Sequence, residues 1–197
     1  MVVGTCKLRR KISLDDKSKT ADDSQLLARA RNDSAAFVRL YRRHYDAVFR
    51  YCVHRLFERH TAEDITAEVF LKVVENLDSF KGDEEQFRNW LYKVASNAVR
   101  DNTRRTARRD GLLKRAREQV NVQVVDCGES SEKLALLRKA MFSLKPRYQT
   151  IITLRFFENL KLTEIAEVLG SSPGTVRSQL ARALAKLRKK LVTDFTD

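Results

Sequence analysis

From residue 22 to residue 109 apolar side chains recur at steps of three and four, almost without pause. In AAFVRLYRRHYDAVFRYCVHRLF, the positions Phe37, Leu40, Tyr41, Tyr45, Val48, Phe49 and Cys52 fall on one face of a helix. HTAEDITAEVFLKVVENL predicts a second helix with Thr61 as its N-cap and acidic residues in its first turn, where the helix dipole favours them. Its buried side is read as Ile65, Val69, Leu71 and Val73. After the break DSFKGDEEQ comes a third helix, FRNWLYKVASNAVRDNTRRTARR. Its apolar positions Phe87, Leu91, Val94, Ala95 and Ala98 fade beyond Arg104 into a basic spine.

The period is lost over residues 110–132, which read as a linker. As a flexible coil it would span roughly 25–30 Å, and stretched about 75 Å, so the flanking blocks can reach well-separated sites. Residues 1–21 also lack a period and read as a flexible arm. Helical spacing resumes at 133, with Leu134, Leu137, Met141 and Leu144 on one face and Pro146 suited to the first turn of the next helix. No strand of convincing alternation and no internal repeat is present. The expected fold is all-α, with two small helical domains, 22–109 and 133–197, joined by a flexible linker.

The second domain contains LTEIAEVLGSSPGTVRSQLARAL, which has helix-turn-helix spacing. Ile165, Ala166 and Leu169 would pack the first helix, Gly170 supplies the turn, Ser172 caps and Pro173 opens the second helix. Val176, Leu180, Ala183 or Leu184, and Leu187 form the buried stripe. That leaves Thr175, Arg177, Ser178, Ala181 and Arg182 on the outer face, where a recognition helix meets base edges and phosphates. Arginine grips guanine or phosphate bidentately, while short hydroxyls bond either more weakly. The same pattern also fits an ordinary helical hairpin with a solvated basic face; the cap, turn, spacing and charge together favour DNA.

Charge strengthens that reading. The net charge of +13 attracts polyanions, of which nucleic acid is the commonest. Six Gly and two Pro leave few helix breakers. Cys6, Cys52 and Cys127 are far apart and odd in number, and neither they nor His44, His54 and His60 show metal-ligand spacing. No export signal, membrane span, nucleophile–base pair or phosphate-cradling Gly loop is legible. The expectation is a cytoplasmic protein that is not an enzyme, with no catalytic residues, metal or cofactor.

Several segments together carry a family resemblance. LKPRYQTIITLRFFENL followed by LTEIAEVLGSSPGTVRSQLARALAKLRKKL resembles the minus-thirty-five-reading domain of bacterial sigma factors. AAFVRLYRRHYDAVFRYC, AEDITAEVFLKV and FRNWLYKVASNAVRDNTRR, in that order, resemble their polymerase-binding and minus-ten-reading domain. The domain that separates these two in housekeeping sigma factors has no counterpart, an arrangement similar to the extracytoplasmic-function (ECF) group.

The resemblance implies roles that chemistry can support. Asp64 and Glu68, four apart on one helix face, would meet basic side chains of the β′ subunit of core RNA polymerase. Gln is frequent among relatives where this chain has Ala67. Asn97 would trap an unstacked base of the minus-ten element, its amide offering donors and acceptors to the base edge. Arg100, Arg104 and Arg105, with Arg108 and Arg109 beyond, would track phosphates. Trp90 is read as core, and Phe80 and Lys81 as single-strand contacts. Thr175, Arg177, Ser178 and Arg182 would read the upstream element.

The implied partners are the β′ and β subunits of core polymerase, promoter DNA and, by family, an anti-sigma factor, with no membrane insertion. The rival is an autonomous helix-turn-helix regulator that binds duplex DNA without polymerase.

Overall fold

The computed structural model describes residues 26–116 and 132–194. Every regular element among them is helical: a short turn of helix at 26–29, then α1 (Ser34–Leu56), α2 (Arg59–Asn76), α3 (Glu84–Ala116), α4 (Glu132–Phe142), α5 (Pro146–Phe156), α6 (Leu162–Leu169) and α7 (Pro173–Asp194).

Local chemistry sets the helix ends. Asp33 caps α1 by accepting the Ala35 N–H at 2.9 Å, and Phe57 ends it in the left-handed region at φ 54°. The next cap is Glu58, not Thr61. Its carboxylate accepts the N–H groups of His60 at 2.7 Å and Thr61 at 2.6 Å; the Thr61 side chain first, and then these backbone bonds, hold its pKa below the usual range against the opposing pull of burial. Because α2 therefore starts at Arg59, Thr61 lies inside its first turn, and no acidic residue occupies that turn. At the start of α3, Asp83 and Gln86 exchange reciprocal bonds, Gln86 N–H to Asp83 Oδ1 at 2.8 Å and Asp83 N–H to Gln86 Oε1 at 3.1 Å. That helix runs to Ala116, so the first part of the segment read as linker continues the basic spine in helical form. Residues 1–25 and 117–131, with Cys6 and Cys127, lie outside the described residues.

α1, α2 and α3 pack together around Val48, Tyr51, Val69, Val73, Phe87 and Leu91. Cys52 is fully buried in this core as a free thiol, and burial pushes its pKa up to about 11. Leu71, expected inside, is 64% exposed: α2 turns it and Val74 outward, leaving Ile65, Val69 and Val73 inside. In the second block Met141, Leu144, Ile152 and Ala183 bring α4, α5 and α7 together. Leu184 is exposed, so Ala183 is the inward member of that pair.

The two blocks are not apart. Ile151, Leu154, Ile165 and Val168 belong to the same buried cluster as Val48 and Phe87, with α6 against α3 and α5 against α1. The reason lies in α6, whose short helix buries Ile165, Ala166 and Val168 and cannot satisfy them all against α7 alone.

Candidate nucleic-acid interface

The helix-turn-helix is α6, a turn at Gly170 and α7. Gly170 stands at φ 58°, and its N–H turns back to the Glu167 carbonyl at 3.2 Å while Ser171 N–H reaches Ala166 O at 2.8 Å. Ser172 Oγ accepts the Thr175 N–H at 3.2 Å and pairs with Thr175 Oγ1 at 2.9 Å, as the capping signal requires. Val176 and Ala183 are buried, and Leu180 is half-buried. Thr175, Arg177, Ser178, Ala181 and Arg182 are all exposed on the other face. Ser178 donates its hydroxyl proton to the Thr175 carbonyl at 3.0 Å, so towards a ligand it offers lone pairs. The arginines supply the complementary donors.

A second site lies between the end of α2, the loop after it and α3. Lys72, Asn76, Ser79, Phe80, Lys81, Trp90, Val94, Asn97 and Asp101 line an open cavity of about 580 Å³. Phe80 and Trp90 form an aromatic wall, with centroids 5.3 Å apart and both rings leaning on Phe87. Trp90 is thus half-buried core and cavity wall at once. Gly82 permits the fold of the loop: a Cβ there would stand 2.6 Å from Gln86 Oε1 and 2.8 Å from the Phe80 ring. Asn97 is exposed at the rim, its Oδ1 accepting from Arg100 at 3.0 Å.

Asn76 and Asp101 escaped the sequence reading. Each is an unremarkable polar helix residue until α2 and α3 are set side by side, and their spacing from Lys72 and Asn97 (four residues in each case) was the only local hint.

Arg104, Arg105, Arg108 and Arg109 are exposed along α3. Arg105 also stands 3.8 Å from Glu68, which Lys72 holds at 2.7 Å. Asp64 is exposed on α2, and Leu71 and Val74 continue the face it shares with Glu68. Of these two apolar residues, Leu71 was expected on the buried side and Val74 was not singled out. Lys93, Asn97 and Arg100 line a smaller cavity as well, about 210 Å³, with Arg147 and Gly170 across the seam between the blocks. Among the described residues no cluster of side chains could hold a metal ion, and no helix is long and apolar enough to cross a membrane.

Residues 40–109 match the family model for sigma-70 region 2, and residues 134–187 that for sigma-70 region 4. The chain is similar to the ECF RNA polymerase sigma factor BldN of Streptomyces coelicolor, 33% identical over 182 residues, covering 90% of this chain and 69% of that protein. It is also similar to the ECF RNA polymerase sigma factor SigW of Bacillus subtilis, 30% identical and covering 82% and 91% of the two chains. Among solved structures, CnrH in complex with the cytosolic domain of CnrY aligns with a TM-score of 0.65 at 25% identity, over 87% of this chain and 98% of that one. The sigma factor RpoE in complex with the anti-sigma factor NepR from Bartonella quintana shares the fold, at TM-score 0.63 and 21% identity over 80% and 98%.

Proposed function

The chain belongs to the ECF group of bacterial RNA polymerase sigma factors, and from that premise we propose how its residues divide the work. It binds core polymerase, directs it to specific promoters and assists their opening. Asp64 and Glu68, with exposed Leu71 and Val74, form the face of α2 that docks on core. Asn97 and the cavity beside it take a base flipped from the minus-ten element. Arg100, Arg104 and Arg105 hold the phosphates of that strand, and Thr175, Arg177, Ser178 and Arg182 read the upstream duplex. The two DNA-reading domains are 22–109 and 133–197. Bond-making belongs to the polymerase, in the cytoplasm, and an anti-sigma factor is a further partner.

The observation that carries this reading is the cavity at Asn97. An aromatic wall of Phe80 and Trp90 offers a stacking surface, while Asn76, Asn97 and Asp101 offer donors and acceptors to a base edge. An autonomous helix-turn-helix regulator has no use for such a single-strand site on a separate helix. The test is purified core polymerase plus this protein on a genomic promoter library: transcripts should start at a shared promoter class only when both are present. Specific duplex binding by the chain alone, with no initiation from any promoter, would establish the rival.

A further inference from the structure

The cavity of about 210 Å³ in the seam carries charge of one sign only. Arg55 near the end of α1, Lys93 and Arg100 on α3, and Arg147 in the first turn of α5 line it, and no carboxylate does. These cations are not bound up with acids elsewhere. Arg147 donates to Gln179 Oε1 at 2.8 Å and to the Ser171 hydroxyl, both neutral acceptors. Arg100 donates to Asn97 Oδ1 at 3.0 Å, and a carboxylate oxygen of Asp101 stands 4.0 Å from its Nε, at the outer limit of an ion pair. Lys93 is exposed, with no carboxylate bonded to it among the described residues.

Arg55 is the anomaly. It is only 5% exposed, yet it donates to neutral acceptors alone, Gln149 Oε1 and, at 3.4 Å, the Pro146 carbonyl. Its Nε has no partner among the described residues. A charge withdrawn from water is ordinarily paired, because neutral acceptors return only part of what its desolvation costs. The carboxyl end of α1 offsets some of this charge. The amino end of α5 works the other way. Pro146 opens that helix, no side chain caps it, and Pro146, Arg147 and Thr150 set its first turns against the cavity. An uncapped helix start adds to the positive field and suits an anion. Ser96 also lines the space, with its Oγ 2.8 Å from the Tyr51 hydroxyl. When Tyr51 donates, Ser96 keeps its own proton for a ligand.

We propose that this cavity binds a diphosphate group, free or carried at the end of a nucleotide. Charge selects the class. One carboxylate neutralises a single member of the cluster, and one phosphoryl group, at about −1.5 to −2 near neutral pH, about half of it. Two phosphoryl groups match it. Guanidinium forks on Arg55, Arg100 and Arg147 suit phosphoryl oxygens, which accept paired hydrogen bonds. The space holds several water molecules that such a group would displace. The site stands on these contacts and not on the sigma reading.

The test is isothermal titration of the full-length chain with sodium diphosphate, sodium phosphate and ADP, at a fixed ionic strength of about 0.15 M. One diphosphate should bind per chain, at least about tenfold more tightly than phosphate. The double variant Lys93→Ala, Arg147→Ala, both positions being exposed, should weaken it at least about tenfold with unchanged helical circular dichroism. Arg188→Ala with Lys190→Ala removes as much charge far along α7 and should change nothing. Amide NMR should show shifts at Ser96 and Gly170 during the titration. Arg55→Met removes the buried charge and keeps much of its bulk, so it should abolish the rise in melting temperature that diphosphate gives the native chain. ADP binding as tight as diphosphate assigns the group to a nucleotide, and much weaker ADP binding assigns it to the free anion; either supports the site. Equal weakening by the two double variants would reduce the binding to general attraction by a basic chain and overturn the proposal. So would the absence of one-to-one binding below about 1 mM. A single-stranded oligonucleotide that binds through Lys93 and Arg147 where diphosphate does not would make the cluster a DNA contact alone, which also overturns it.

Discussion

Arg177 leaves the first turns of α7 with its guanidinium exposed and no carboxylate bonded to it among the described residues, whereas Asn97 sits at a cavity rim. Their substitutions should therefore fail at different steps. Arg177→Ala is expected to weaken promoter recognition by about 1–3 kcal/mol if the side chain reads a base. Asn97→Ala should leave initial duplex binding intact and reduce opening; permanganate footprinting and run-off transcription on upstream-element variants separate the two effects. His44 makes a different prediction at the same scale. Burial, then Arg43 and Arg88, hold its pKa down at about 4, and its Nε2 has no hydrogen-bond partner among the described residues. The neutral ring's contribution to stability is complete above about pH 6.5 and lost as pH falls towards 4, up to about 3 kcal/mol. His44→Leu should flatten the fall in melting temperature between pH 7 and 4.5; identical slopes would remove His44 as the cause.

Among the elements, the turn of the helix-turn-helix was the most legible in sequence, because its chemistry is local. Gly170, Ser172 and Pro173 act through neighbours within a few residues, and each stands where its residue type demands. Gly170→Ala should cost about 1–2 kcal/mol, since its Cβ meets nothing within 4 Å and only the left-handed backbone is penalised. Gly170→Asn should recover part of the loss, and thermal unfolding measures both. The start of α2 was harder to read because Glu58 caps with a longer side chain than the usual Ser, Thr, Asp or Asn. Leu71 was misassigned for the opposite reason: an apolar residue on a docking face carries the same periodic signal as one in the core. The cavity at Asn97 was half visible. Its rim residue came from a motif, but Asn76 and Asp101 required the lateral register of α2 against α3.

At the scale of the whole chain, two helical blocks and their order were legible, and their closed packing was not. Arg88 and Glu164 are 76 positions apart, and each looks like a solvent-facing charge within its own helix. The length between the blocks then becomes the quantity to vary. Deleting residues 117–124 removes about 26 Å of reach, so the shortened chain should bind core normally while losing initiation at promoters of native spacing. Promoters with the elements moved closer should regain it, and abortive-transcript assays across a spacer series would register the difference. Cys52 carries a separate consequence for experiment. Only the thiolate reacts, and a fully buried thiol at about 11 offers almost none at neutral pH. Its alkylation waits for the three-helix unit to come apart, so the rate of mass gain at this one sulfur is a built-in clock for global unfolding of the first domain.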